Sequence, residues 1–166
     1  MLTVQRDRVL DVLEDGECLA LLSTATIGRI AFTEGALPAI QPVSFTVDGG
    51  EIIVPTQQGS KVAAASRGSV VAFEVDDYDV PGRTGWNVTV VGTSRLISEP
   101  AAVRTLDALG ARAWAPTGDR CYIAIGIRLI RGRRLRMVPV PAGSSRVQAA
   151  PTPIQALVPE PWPAPA

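Results

Sequence analysis

Apolar and polar residues alternate with period two along most of this chain, the signature of half-buried strands. In Ile27 to Thr33, Gly28, Ile30 and Phe32 share one face, and Arg29, Ala31 and Thr33 share the other. Glu34-Gly35 is a two-residue hairpin signal, and a strand from Leu37 to Val47 follows. There Leu37, Ala39, Val43, Phe45 and Val47 alternate inward, with Gln41 the polar exception. Asp48-Gly49-Gly50 predicts a tight turn into a strand over Glu51 to Thr56. Ser69 to Asp76 reads as a more continuously apolar strand, and Pro81-Gly82 marks the turn of a loop over Tyr78 to Thr84. A long strand from Gly85 to Ile97 sets Trp86, Val88, Val90 and Leu96 against Asn87, Thr89, Thr93 and Arg95. Gly92 in its middle predicts a bend or bulge. A last long strand runs from Asp119 or Arg120 to about Met137, with Ile123, Ile125, Ile127 and Leu129 on one face.

Two stretches carry the helical period instead. Leu2 to Leu22 is expected to be helical in two pieces broken near Gly16. Val9, Val12 and Leu13 share a face of the first piece, and Glu17, Cys18, Leu19 and Leu22 start the second, which ends near Thr24. Ser98 is expected to cap a later helix, with Pro100 near its first turn and Val103, Leu106, Leu109 and Ala113 as its apolar stripe. Six strands at short spacing, with only small helices between them, predict a mainly β fold, a closed or split β-barrel. Residues 1–138 form one domain in this reading. Residues 139–166 are rich in proline and alanine, lack periodicity, and read as a disordered or loosely draped tail.

Composition narrows the chemistry. The 166 residues are 46% apolar and 19% charged, an ordinary globular balance for one domain. Sixteen basic and sixteen acidic side chains cancel, which argues against a dedicated nucleic-acid binder. There is no histidine, so Ser-His and Cys-His nucleophile pairs, His-bound zinc and His-bound haem are all excluded. Cys18 and Cys121 lie far apart and make neither a metal spacing nor a disulfide framework, which points to a reduced, cytoplasmic setting. No run approaches the ~20 apolar residues of a membrane span. No GxGxxG, P-loop or GxSxG motif is present.

Four features carry candidate chemistry. In Gln57-Gln58-Gly59-Ser60-Lys61, Gly59 permits unusual backbone angles, and Ser60 is a natural cap for a short helix that Lys61 opens. Free N–H groups at a helix start suit a phosphate, and a capped helix with a solvated lysine accounts for the same residues. Pro38 and Pro42 donate no ladder hydrogen bond, so something other than a strand faces part of their segment; a ligand, an edge and a bulge each explain it. Asp76, Asp77 and Asp79 read as a solvated turn, with spacing unlike a calcium loop. Arg128, Arg131, Arg133, Arg134 and Arg136 either grip phosphate or are the solvated end of a strand.

The runs IGRIAF, LPAIQPVSFTVDGGEIIV, QGSKVAAA, VVAFEVDD, GWNVTVVG and RCYIAIGIRLIRGRRL, in this order, resemble the pyridoxamine 5'-phosphate oxidase-like family of flavin-binding split barrels. The resemblance covers roughly Glu14 to Met137. It implies a homodimer with FMN at the interface. It places Gln41, Pro42, Val43, Ser44 and Phe45 along the flavin ring, and Thr56, Gly59, Ser60 and Lys61 at its phosphate. It also implies that Trp86, from the partner subunit, helps to close the site. The implied activity is a flavin-dependent redox step on a small organic substrate. A deazaflavin-dependent reductase and a non-catalytic flavin-binding module are the alternatives on the same fold. Pyridoxamine phosphate oxidase itself uses an arginine with a nearby histidine for its substrate phosphate, and this chain has no histidine. No catalytic residue and no metal ligand is assigned from the sequence.

Overall fold

The structure is a computed structural model that describes residues 6–57, 62, 68–110 and 120–139. Nine strands and two helices lie among them: β1 (Arg6–Leu13), α1 (Asp15–Thr24), β2 (Ile27–Glu34), β3 (Leu37–Ser44), β4 (Thr46–Asp48) and β5 (Glu51–Gln57), then β6 (Val70–Asp79), β7 (Thr84–Ile97), α2 (Pro100–Ala108), β8 (Arg120–Gly126) and β9 (Leu129–Pro139). Every pairing is antiparallel, and the strands form a split barrel. One branch runs β3-β2-β6-β7-β9-β1, and the other runs β7-β8-β5-β4.

Strand β7 belongs to both branches. Gly85 to Val91 pair with β9, and Ser94 to Ile97 pair with β8. Gly92 marks the change of partner: a Cβ there would lie 1.7 Å from the carbonyl oxygen of Gly126. The expected long last strand is therefore two strands, broken at Ile127-Arg128 just after that crossing. No single straight strand can follow both halves of a bent β7.

The start of the chain also departs from the expected helix, because Arg6–Leu13 pairs along its whole length with β9. Val9 and Val12 then fall on opposite faces; Val9 is half-buried and Val12 is 80% exposed. The apolar spacing Val9, Leu10, Val12, Leu13 suits either period, so the partner decides. As a strand, this stretch sends Leu13 into the core and sets Asp11 beside Arg136. Helix α1 is a single element whose buried face is Cys18 and Leu22. It lies across β9, where Gly132 makes room for the Cys18 thiol. Burial pushes that thiol up from its ordinary range.

The core follows the alternation. Ile30, Phe73, Val75, Val88 and Val90 are fully buried on the inner face of the long branch. Ile52, Val54, Ile123 and Ile125 face them from the other. Both faces of β5 are covered, since Ile53 packs with Leu106, Tyr122 and Ala124 beneath α2. The cap of α2 is Glu99 rather than Ser98; its carboxylate accepts the N–H of Ala101 at 3.0 Å and of Ala102 at 2.8 Å. Those two hydrogen bonds hold the Glu99 carboxyl below its usual range.

Tyr122 ties α2 to β8. Its hydroxyl donates to Asp107 Oδ1 at 2.6 Å, and Arg120 donates to the same oxygen at 3.0 Å. Burial first, and then the Asp107 carboxylate, push the phenol up to about 12 from an ordinary value of 10.0. The folded state thus holds this proton more tightly than the unfolded chain. Its contribution to stability is whole below about pH 10 and is lost as pH rises towards about 12. Urea midpoints across that window should fall in the native chain, and Tyr122→Phe should remove this part of the slope.

Turns appear close to their expected places. The β2–β3 hairpin turns on Gly35 (φ 56°) and Ala36 (φ 64°), one residue later than Glu34-Gly35. Ala36 pays the left-handed steric cost that glycine avoids. Ala36→Gly is therefore expected to stabilise the fold by about 0.5–1 kcal/mol, read as a rise in the urea midpoint. Gly49 (φ 55°) and Gly50 (φ 79°) form the expected turn between β4 and β5. Strand β6 extends through Asp79, so Asp76 and Asp77 are strand residues rather than a solvated turn. Asp79 accepts the Gly82 N–H at 3.2 Å in the turn that follows.

Candidate functional site

Pro38 and Pro42 have their explanation in β3, which is an edge strand among the described residues: there it pairs with β2 alone. A proline on an edge costs no ladder bond if its nitrogen faces outward. Within this strand Gln41 and Pro42 are exposed, and Val43 and Ser44 are half-buried. Val43 packs on the main core. The expected single strand to Val47 breaks at Phe45, whose N–H donates to the Thr26 carbonyl at 3.2 Å. Phe45 is 7% exposed and meets Phe73 edge-on, with ring centroids 4.8 Å apart. Leu37, expected to point inward, is 70% exposed at the hairpin end.

Strand β3 comes close to β5, and β4, which follows it, sets Thr46 opposite Ile53, so the Ser44 end of β3 points towards the Thr56 end of β5. Thr56, near the end of β5, is half-buried, and its carbonyl accepts from the Cys121 thiol at 3.8 Å. The polypeptide leaves β5 at Gln57 towards Gly59, Ser60 and Lys61, which lie outside the described residues. Val62, just beyond, is buried in the main core. One chain therefore brings the β3 edge and the Thr56 end of β5 to the same side of the barrel.

Trp86 stands elsewhere. Strands β2 and β6 separate β7 from β3, and Trp86 packs half-buried against the core of its own barrel. The single chain does not bring it to Gln41–Phe45. The apolar face of Trp86, Val88 and Val90 is the barrel interior, with Val88 and Val90 completely buried.

The arginine run divides between two faces. On the inner side, Arg134 pairs with Glu17 at 3.2 Å and Arg136 pairs with Asp11. The Arg136 guanidinium holds the Asp11 carboxyl below its usual range. Arg131 and Arg133 are exposed on the outer side. That outer face also carries Arg29, Glu74 and Asp76 at alternating positions of β2 and β6, a pattern the sequence reading passed over. Charges at every second residue of otherwise apolar strands were the available signal. Among the described residues, no cluster of three or more acids or cysteines could hold a metal ion. No described helix is long and apolar enough to cross a membrane.

Residues 14–134 match the family model described as pyridoxamine 5'-phosphate oxidase. The chain belongs to that family. An uncharacterized protein of Mycobacterium tuberculosis is 37% identical over 128 residues, which span 74% of this chain and 84% of that one. Among solved structures, the FAD-binding protein from Mycobacterium smegmatis is 28% identical with a TM-score of 0.60, covering 77% of this chain and all of that one. A FAD-binding protein from Mesorhizobium loti, 19% identical with a TM-score of 0.63, covers 76% and 98% and shares the fold. This chain and these two solved structures share the split-barrel fold.

Proposed function

We propose that this protein is a flavin-dependent oxidoreductase acting on a small organic substrate, with FMN held between two copies of the chain. The observation that carries this reading is the free edge of β3 beside the Thr56 end of β5. Placing Pro38 and Pro42 with their nitrogens outward assigns the backbone groups of Ile40 and Ser44 to the same free side, by ladder alternation. Such an edge offers donors and acceptors to the polar rim of a flat heterocycle. Val43 and Phe45 supply the apolar ground beneath it. Thr56 and the segment after it, with Ser60 and Lys61, suit the phosphate.

When bound, a flavin supplies the redox chemistry, and the protein binds, orients and excludes water. That division of labour asks for no triad and no histidine. The similar protein from Mycobacterium smegmatis is a FAD-binding protein, which extends the candidate cofactor class to FAD.

Absorbance of the purified protein near the flavin bands, with mass analysis of the cofactor that heat releases, tests the reading. FMN supports it, FAD or a deazaflavin moves it to that cofactor, and a colourless protein that binds none of them removes it. Lys61→Ala is expected to weaken FMN roughly tenfold or more, the loss of a charged hydrogen bond. Fluorescence titration measures this, and unchanged affinity would remove the phosphate assignment.

A further inference from the structure

Tyr78 on β6, Gly85 on β7, Leu135 on β9 and Leu10 on β1 stand opposite one another in register on the outer face of the long branch. They form an apolar row across four strands. Gly85 is its low point: a Cβ there would fall 2.4 Å from Tyr78 Cδ1, so the tyrosine ring borders a gap. Tyr78 is 54% exposed and Leu10 58%. Arg133, next to Leu135 on the same face of β9, is exposed and makes no ion pair among the described residues. The chain leaves the described residues beside this patch, at Pro139, opposite Arg6 and about 13 Å of strand beyond Leu135. Residues 140–166 follow, outside the described residues, and their sequence has an order of its own. Proline recurs at positions 151, 153, 159, 161, 163 and 165. Each proline fixes its own φ and holds the residue before it extended, which favours a polyproline II helix. At that helix's period of three, Pro153, Ala156, Pro159, Trp162 and Pro165 make one ridge with no polar member. Thr152, Gln155 and Glu160 fall on the other two ridges.

We infer that this C-terminal segment folds back on its own chain and docks on the row as a polyproline II helix, with Trp162 over Gly85 between Tyr78 and Leu135. Three residues of such a helix rise about 9.3 Å, and two strand spacings measure about 9.6 Å. Laid across the strands, neighbours on the ridge therefore fall two strands apart. With Trp162 over β7, Pro159 falls over Leu10 on β1. Glu160, the one acid after Pro139, then lies over β9 beside Arg133. Residues 140–152 supply about 3 Å each, enough to pass the β1 edge and return across the row. A polyproline II helix is already ordered, so it loses little entropy on docking, and aromatic side chains such as Tyr78 are its usual seat. The patch is at the β1 end of the branch and the candidate flavin site at the β3 end, so neither reading rests on the other.

Proteolysis of the full-length chain tests the docking. A proline-specific endoprotease that accepts whole proteins should cut slowly after Pro153 and Pro159 in the native chain. Each rate is divided by that of a free peptide of residues 147–166 with the same sequence, which removes the enzyme's own preferences. Trp162→Ala and Tyr78→Ala should each raise the ratio about tenfold or more, the effect of losing a buried aromatic contact. Gln155→Ala, off the ridge, should leave it at the native value. Should Tyr78→Ala misfold by circular dichroism, Leu10→Ser takes its place. A native segment cut as fast as the free peptide would overturn the inference. So would Gln155→Ala matching Trp162→Ala, or a Tyr78→Ala chain cut no faster than the native one. Protection that grows with protein concentration would place the segment on a second copy and overturn it as well.

Discussion

Gly92→Ala is expected to destabilise the protein by about 3 kcal/mol or more, lowering its melting temperature by roughly 10 °C. The added Cβ would sit 1.7 Å from the Gly126 carbonyl oxygen and 2.9 Å from its carbon. Both are backbone atoms of a paired strand, so no side chain can rotate away to relieve the overlap. Relief requires β7 and β8 to separate where β7 passes from one branch of the barrel to the other. Gly16→Ala is the control. Nothing lies within 4 Å of a Cβ at that helical position, so the same change there should be neutral or slightly stabilising. The melting temperature should therefore fall in Gly92→Ala and hold or rise slightly in Gly16→Ala. An unchanged melting temperature in Gly92→Ala would mean that the two strands do not cross this closely.

Phe73→Ala is expected to cost about 3–5 kcal/mol, the range for emptying a buried aromatic site. Phe73 is completely buried at the centre of the long branch. Its ring fills the space over Gly28, where a Cβ would come within 2.2 Å of the ring tip, and it meets Phe45 edge-on. An alanine leaves both neighbours facing a void, because Gly28 has no side chain to move into it. Phe45 is also the residue at which β3 ends, so the variant should loosen the β3 edge along with the core. Urea denaturation reads the stability loss. Flavin titration of the folded variant should show weaker binding, whereas intact binding would separate Phe45 from the cofactor site.

Much of this architecture was legible in the chain itself. The inward set Gly28, Ile30 and Phe32, the Gly49-Gly50 turn, the bend at Gly92 and the helix after Ser98 each rest on a local rule: period two, positive φ, or a proline in the first helical turn. The interrupted ladder at Pro38 and Pro42 was also legible as a problem, and the edge position of β3 is its solution. The family resemblance, carried by the order of six short runs, was readable for the same reason, since the match spans residues 14–134.

Amino-acid order alone determined the strand-rich class, most of the inward faces and the exclusion of histidine chemistry, because those follow from residue type and near neighbours. Tertiary structure alone decided that Arg6–Leu13 is a strand, since its apolar spacing fits two periods and only β9 selects one. It decided that the last strand breaks after Gly126, since the reason lies at Gly92, far away in the chain. It separated Arg134 and Arg136, which pair with acids on β1 and α1, from Arg131 and Arg133, which stand on the open face. It also set Glu74 and Arg131 on either side of Thr89. Such relations depend on which strands become neighbours, and strand pairing brings together residues that no local pattern connects.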